Sequence, residues 1–223
     1  MKPLIAALDT ADLVRLEELA AALGPHVGYL KVGLEAYTAH GPAAIKAVAG
    51  HGRVFLDVKL HDIPRTVAGA ARAAAAHGVD LLTVHASGGA AMVAAAAEAA
   101  PDVGILAVTV LTSLDDADLA RLGQRTAAEQ VVRLAALAWE SGAAGVVCAP
   151  SEVAAVRAAI GPAGLVVTPG IRLAGDSRDD QARIATPQAA RDAGASHLVV
   201  GRSLTHADDP AAVAERILAD LHA

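Results

Sequence analysis

Charged side chains of opposite sign alternate in one short stretch, Asp57-Val58-Lys59-Leu60-His61-Asp62. In an extended chain, residues two apart project to the same side, so Asp57 and Lys59 share a face with Phe55 while Leu56 and Val58 take the other. A carboxylate beside an ammonium can hold it in place and set its protonation, which is what general acid–base chemistry requires. Lys31, in the apolar run Tyr29–Leu34, offers Asp57 a second cation. A buried ion pair that only stabilises the fold would use the same residue types, since burying both charges is tolerable when they are paired. Asp62 also has a plain alternative. It stands near the helix start marked by Pro64 and could serve that helix N-terminus.

The last third holds a second set of candidates. Thr168-Pro169-Gly170-Ile171-Arg172 precedes a long polar stretch, Leu173 to Thr186, and Gly201-Arg202-Ser203 follows an apolar run. Gly201 allows close backbone approach, and the Arg202 guanidinium can fork onto phosphate oxygens. Arg172–Thr186 is too long for a minimal connection and has few apolar anchors, so it resembles a lid; a solvated surface loop is the simpler alternative. His61 and His85 have no second ligand at a recognised metal spacing, so both are read as structural histidines and no metal is expected. Cys148 reads as a small core hydrophobe. No Ser or Cys nucleophile lies in a Ser-x-x-Lys or Gly-x-Ser-x-Gly setting.

These residues need elements to position them. Eight apolar runs punctuate the chain: Leu4–Leu8, Tyr29–Leu34, Arg53–Lys59, Leu81–Ala86, Gly104–Leu111, Gly145–Ala149, Leu165–Thr168 and His197–Gly201. Between them lie Ala-rich segments with helical periodicity, such as Ala11–Leu23 and Thr126–Ser141. Gly24, Gly78, Gly142 and Gly194 stand where left-handed helix caps would fall. Nearly continuous apolar strands separated by helices indicate a parallel sheet covered by those helices. Eight such units in 223 residues predict an α/β fold, a (β/α)8 TIM barrel forming one domain over residues 1–223. A doubly wound dinucleotide-binding sheet would want Gly-x-Gly-x-x-Gly after the first strand, where Asp9-Thr10-Ala11-Asp12 stands. In a barrel the chemistry lies at the C-terminal strand ends, and there Asp9, Lys31, Asp57 and Lys59 converge, with Asp62 just beyond, while the fourth strand ends at His85 and the fifth runs into Thr112-Ser113. That convergence favours a reactive site over a structural ion pair.

Composition narrows the partners. Eighteen Lys and Arg against 24 Asp and Glu give a formal charge of −6. Four aromatic residues, one Trp, two Tyr and one Phe, leave little for bases to stack on, so a nucleic-acid surface is not expected. The 54% hydrophobic content is dominated by Ala and includes no stretch approaching the roughly 18 apolar residues of a membrane span. Met1–Asp9 is too short in apolar residues for a signal-peptide core, so a cytoplasmic location is the expectation. A single cysteine cannot form an internal disulfide.

Asp57-Val58-Lys59-Leu60-His61-Asp62-Ile63-Pro64-Arg65-Thr66 resembles the active-site signature of the orotidine 5′-phosphate decarboxylase family. The resemblance extends, in family order, over Leu8-Asp9, Leu30-Lys31-Val32-Gly33, Val84–Gly89, Val110–Ser113, Thr168–Arg172, Gln181 and Val199–Arg202. Val58 and Arg65 depart from the family pattern, which has Leu and Asn there. The resemblance implies decarboxylation of orotidine 5′-phosphate to UMP in pyrimidine biosynthesis, with neither metal nor organic cofactor. It implies that Lys59 protonates C6, that Asp57 and Lys31 hold the charge array, and that Asp62, Ile63 and Thr66 belong to the site. In the family, Asp62 and Thr66 reach the site from the partner of a homodimer. It further assigns Asp9 to the ribose, Thr112 and Ser113 to the pyrimidine edge, and Arg172, Gln181, Gly201 and Arg202 to the phosphate, with 172–186 closing over it. A Mg²⁺-dependent decarboxylase or aldolase of phosphorylated sugar acids shares Asp-x-Lys-x-x-Asp and the phosphate end. A catalytically silent nucleotide-binding barrel is the remaining alternative, and intact Lys31, Asp57, Lys59 and Asp62 speak against it.

Overall fold

The computed structural model describes residues 2–171 and 185–222. Its strands are β1 (Leu4–Ala7), β2 (Tyr29–Gly33), β3 (Val54–Leu60), β4 (Leu81–His85), β5 (Gly104–Val108), β6 (Gly145–Val147), β7 (Leu165–Thr168) and β8 (His197–Val200). Each pairs in parallel with the next, and β8 pairs with β1, closing an eight-stranded barrel with helices on its outside. Every apolar run overlaps one strand, but the bounds differ: the third strand runs one residue past its run, to Leu60, and the fifth run, ending at Leu111, yields a strand only to Val108. Burial continues past the ladder, with Val110 5% exposed, and a hydrophobic run reports burial rather than strand pairing.

Strand side chains divide by face. Leu30, Val32, Leu56, Leu82, Ile105, Val146, Val166 and Leu198 point outward into the apolar layer beneath the helices. Ile5, Tyr29, Phe55, Leu81, Leu106 and Val167 form a separate inner cluster that fills the barrel. The helices carry short Ala faces that let them lie close to the strands. Asp12 caps the helix Leu13–Leu23, its carboxylate accepting from the Val14 and Arg15 N–H groups at 2.9 and 3.2 Å. Gly78, Gly142 and Gly194 have positive φ, as expected of helix caps. Gly24 does not: its φ is −50°, and it is needed because a Cβ there would sit 2.1 Å from the His51 carbonyl oxygen.

One irregularity matters for the site. Leu56 pairs with Leu82, but the next pair is Leu60 with Val84, so Asp57, Val58 and Lys59 together face Thr83. Lys59 is the single described non-glycine residue with positive φ, at 50°. A left-handed conformation costs an L-residue roughly 1–2 kcal/mol. Asp57 and Lys59 therefore meet through a bulge, and not through the regular alternation expected from their spacing.

The inner cluster ends on a titratable group. His197 on β8 is 6% exposed, meets the Tyr29 ring edge-on at 5.4 Å, and has no hydrogen-bond partner for Nδ1 among the described residues. Burial lowers its pKa from 6.5 to about 4, with the Arg53 guanidinium adding to the effect. The unfolded chain thus binds a proton that the folded chain refuses as pH falls from 6.5 toward 4, so folding stability falls across that window. Denaturant titrations are expected to show native protein losing roughly 3 kcal/mol more than His197→Gln between about pH 7 and pH 4. Equal losses would show that His197 is not the group responsible.

Candidate active site

A cavity of about 540 Å³ opens at the C-terminal ends of the strands. Apolar side chains of the barrel, Phe55, Val108, Val147, Val167 and Val199, line it from within. Asp9, Lys31, Asp57 and Lys59 supply charge from the first three strands and the residues just beyond them, and Gly201 and Arg202 enter from the end of β8.

The four charged groups form an alternating array. Lys31 Nζ lies 3.2 Å from Asp9 Oδ1 and 3.4 Å from Asp57 Oδ2, and Lys59 Nζ donates to Asp57 Oδ1 at 2.8 Å. Burial alone would depress the Lys31 pKa, but the Asp57 and Asp9 carboxylates outweigh it and hold the ammonium above its ordinary value. Burial would raise the Asp57 pKa; Lys31 and Lys59 outweigh it, with hydrogen bonds from Lys59 and Thr83, and keep the carboxyl below its usual range. Both groups therefore remain charged around neutrality. Gly33 makes room for the array, since a Cβ at 33 would lie 2.0 Å from Asp9 Oδ1 and 3.0 Å from Lys31 Nζ. Among the described residues, a Cβ at Gly201 would meet only the Ala7 Cβ, at 3.7 Å, so packing against them does not call for glycine at this cavity-lining position.

Thr112 lines the cavity, whereas Ser113 is exposed outside it. Residues 61–66 form an exposed run, and Asp62, Ile63 and Thr66 do not line the cavity of their own chain. Asp62 Oδ1 accepts from the Ile63 N–H at 2.6 Å, and the helix Pro64–Ala76 has no side-chain cap, so the helix-terminus alternative for Asp62 finds no capping bond. Arg172, Gln181 and nearly all of the lid expected over 172–186 lie outside the described residues. The flanking residues Ile171 and Ala185 pair in a parallel bridge. The His61 and His85 rings meet at a tilt of 41° with centroids 5.5 Å apart, and burial, with His61 and Lys59 nearby, lowers the His85 pKa. Among the described residues, no three His, Cys, Asp or Glu side chains are grouped to hold a metal ion.

A family model described as "Orotidine 5′-phosphate decarboxylase / HUMPS family" matches residues 2–217. The chain belongs to this family. An orotidine 5′-phosphate decarboxylase of Thermobifida fusca is 54% identical over 222 residues, covering 98% of this chain and 95% of its own length. One from an Anaeromyxobacter strain is 59% identical over 227 residues, covering 99% and 100%. The solved structure of orotidine 5′-phosphate decarboxylase from Lactobacillus acidophilus aligns over 100% of both chains with a TM-score of 0.87 and 38% identity. The likeness to the orotidine 5′-phosphate decarboxylase / HUMPS family thus spans the barrel and is not confined to Asp57–Thr66.

Sequence reasoning passed over several residues of this family member's cavity. Glu35, Thr205 and His206 line it, and Cys148, read as core, is both 1% exposed and a lining residue. A signal existed for His206, which follows Arg202 by one helical turn and so shares its side. Thr83 was passed over too, although it is the polar member of Leu81-Leu82-Thr83-Val84 and alternation would have set it beside Leu81 on the inner face.

Proposed function

We propose that this chain decarboxylates orotidine 5′-phosphate to UMP as a carboxy-lyase of pyrimidine biosynthesis. The observation that carries the reading is the Asp9–Lys31–Asp57–Lys59 array at the cavity, in a chain with relatives of that name at 54% and 59% identity. The C6–carboxyl bond breaks, CO₂ leaves, and the electron pair at C6 takes a proton from the Lys59 ammonium. Of the two lysines, Lys59 suits the role, with its side chain 28% exposed against 8% for Lys31, which is clamped between two carboxylates. The Lys59 charge also stabilises the carbanion as it forms, in surroundings that the apolar barrel wall keeps poor in water. Asp57 holds Lys59 and faces the substrate carboxylate.

Asp9 and Lys31 take the ribose, and Thr112 with Ser113 takes the pyrimidine edge. Gly201, Arg202, Arg172 and Gln181 take the phosphate, with 172–186 closing over it. A remote phosphate supplies binding energy that is realised in the transition state, which raises kcat as well as affinity. Asp62, Ile63 and Thr66 complete the neighbouring site of a homodimer; the exposure of residues 61–66, with Ile63 at 65%, supports a covered face there. The chain acts as one cytoplasmic (β/α)8 domain. Among its described residues, no helix is long and apolar enough to cross a membrane.

The test is an ultraviolet assay of purified protein with orotidine 5′-phosphate, run with and without EDTA. Turnover to UMP at an unchanged rate in chelator is expected. A Mg²⁺-dependent phosphosugar enzyme of the same family would instead leave this substrate untouched and lose its own activity in EDTA. No turnover by well-folded protein would overturn the decarboxylase reading.

A further inference from the structure

Thr83 lies on β4, is wholly buried, and stands opposite the three-residue bulge Asp57–Lys59. The Lys59 backbone N–H donates to Thr83 Oγ1 at 2.9 Å, and the Thr83 hydroxyl donates to Asp57 Oδ1 at 3.0 Å. The same Asp57 oxygen accepts from Lys59 Nζ at 2.8 Å. A closed ring of hydrogen bonds results, in which Lys59 is held at both its backbone and its ammonium.

The direction of these bonds follows from what each group can do. A peptide N–H only donates and an ionised carboxylate only accepts, so one hydroxyl between them has a single consistent orientation. Regular pairing of β3 with β4 lapses between Leu56 and Leu60, and the Lys59 N–H is met by the hydroxyl. Lys59 adopts a φ of 50° at this point, a conformation that persists only where surrounding contacts enforce it. Valine has nearly the same shape as threonine and would fill the barrel as well, so packing does not account for the hydroxyl.

From this geometry we infer that Thr83 is a positioning residue for the decarboxylation. It closes the β3 bulge and fixes the Lys59 ammonium relative to Asp57, so that the proton donor is held where C6 will lie. The inference rests on the decarboxylase reading. It adds a residue that acts through Lys59 and Asp57 and does not touch substrate.

The experiment compares native protein, Thr83→Ser and Thr83→Val in kcat, KM and UMP affinity. Thr83→Val is expected to lose about tenfold or more in kcat with UMP affinity within about threefold of native, because misplacing a donor by a fraction of its reach affects the chemical step first. Thr83→Ser keeps the hydroxyl and is expected to stay within about threefold of native. A residue that merely fills space would give the reverse order, since serine leaves a methyl-sized void and valine does not. Valine equal to or better than serine in kcat overturns the role of Thr83. Should Thr83→Val not fold, Thr83→Ser against Thr83→Ala makes the comparison: about fivefold or more in favour of serine supports the role, and a smaller difference overturns it. Turnover by native protein with no hydroxyl dependence overturns Thr83 alone, whereas no turnover by native protein overturns the decarboxylase reading and this role with it.

Discussion

Lys59→Ala is expected to lower kcat for orotidine 5′-phosphate by about 10⁵-fold or more while leaving UMP affinity within about tenfold of native. Two separate contributions disappear with one side chain. Proton delivery by a positioned acid is worth roughly 10²–10⁴-fold. A preorganised charge aimed at the developing carbanion adds about 10²–10³-fold, and the two multiply. The product has no carboxylate and needs no proton, so UMP binding escapes most of the penalty. Structure argues that the variant folds: the Lys59 side chain is 28% exposed at the cavity, and its loss leaves Asp57 still held by Lys31 and Thr83. Single-turnover absorbance measurements with calorimetric titration of UMP separate the two quantities. Residual kcat within about 100-fold of native would mean that another group delivers the proton.

The second large effect is a recovery. Asp62→Ala is expected to be nearly inactive by itself, because an essential carboxylate would be missing from both sites of a homodimer. Mixing it with Lys59→Ala and allowing subunits to exchange is expected to restore about a quarter of native activity. Half of the dimers formed at random are mixed, and in each of these one site receives native Lys59 from one subunit and native Asp62 from the other. The other site receives neither. The placement of Asp62 outside the cavity of its own chain, in an exposed run with Ile63, is what makes a shared site the better account. Activity after mixing is followed by the same absorbance assay, with exchange verified by mass spectrometry of tagged subunits. Full exchange without recovery would place Asp62 in the site of its own chain or outside the chemistry altogether.

The barrel was legible because strands buried on both faces read as unbroken apolar runs, and Ala-rich segments between them left few competing assignments. Asp9, Lys31, Asp57, Lys59, Thr112, Gly201 and Arg202 were legible as neighbours around one cavity, because a barrel gathers there the residues at and beyond its strand ends. Other features depend on relations between strands, which a single chain's periodicity does not carry. Alternation brought Asp57 and Lys59 to one face for an incomplete reason, since register against β4, and not spacing along β3, produces the bulge. Thr83 went unread for the same cause: its importance lies in what stands across from it. Gly24 caps its helix as expected but without the left-handed conformation, and its missing Cβ instead allows close approach to the His51 carbonyl, a contact between residues far apart in the chain. Glu35 reaches the cavity from the helical turn that follows β2, and its direction is set by the path of that turn.

The charges of Asp9, Lys31, Asp57 and Lys59 sum to zero, and one turnover upsets that balance. With Lys59 as the proposed donor, the array is net negative once its proton has gone to C6, and a proton from the medium must replace it before the next substrate can react. Lys31, at 8% exposure and held above its ordinary pKa by two carboxylates, keeps its proton throughout. Lys59, at 28%, opens onto the cavity through which product departs. The more open of the two ammonium groups is thus the one that must be recharged, and emptying the site is also what restores the donor.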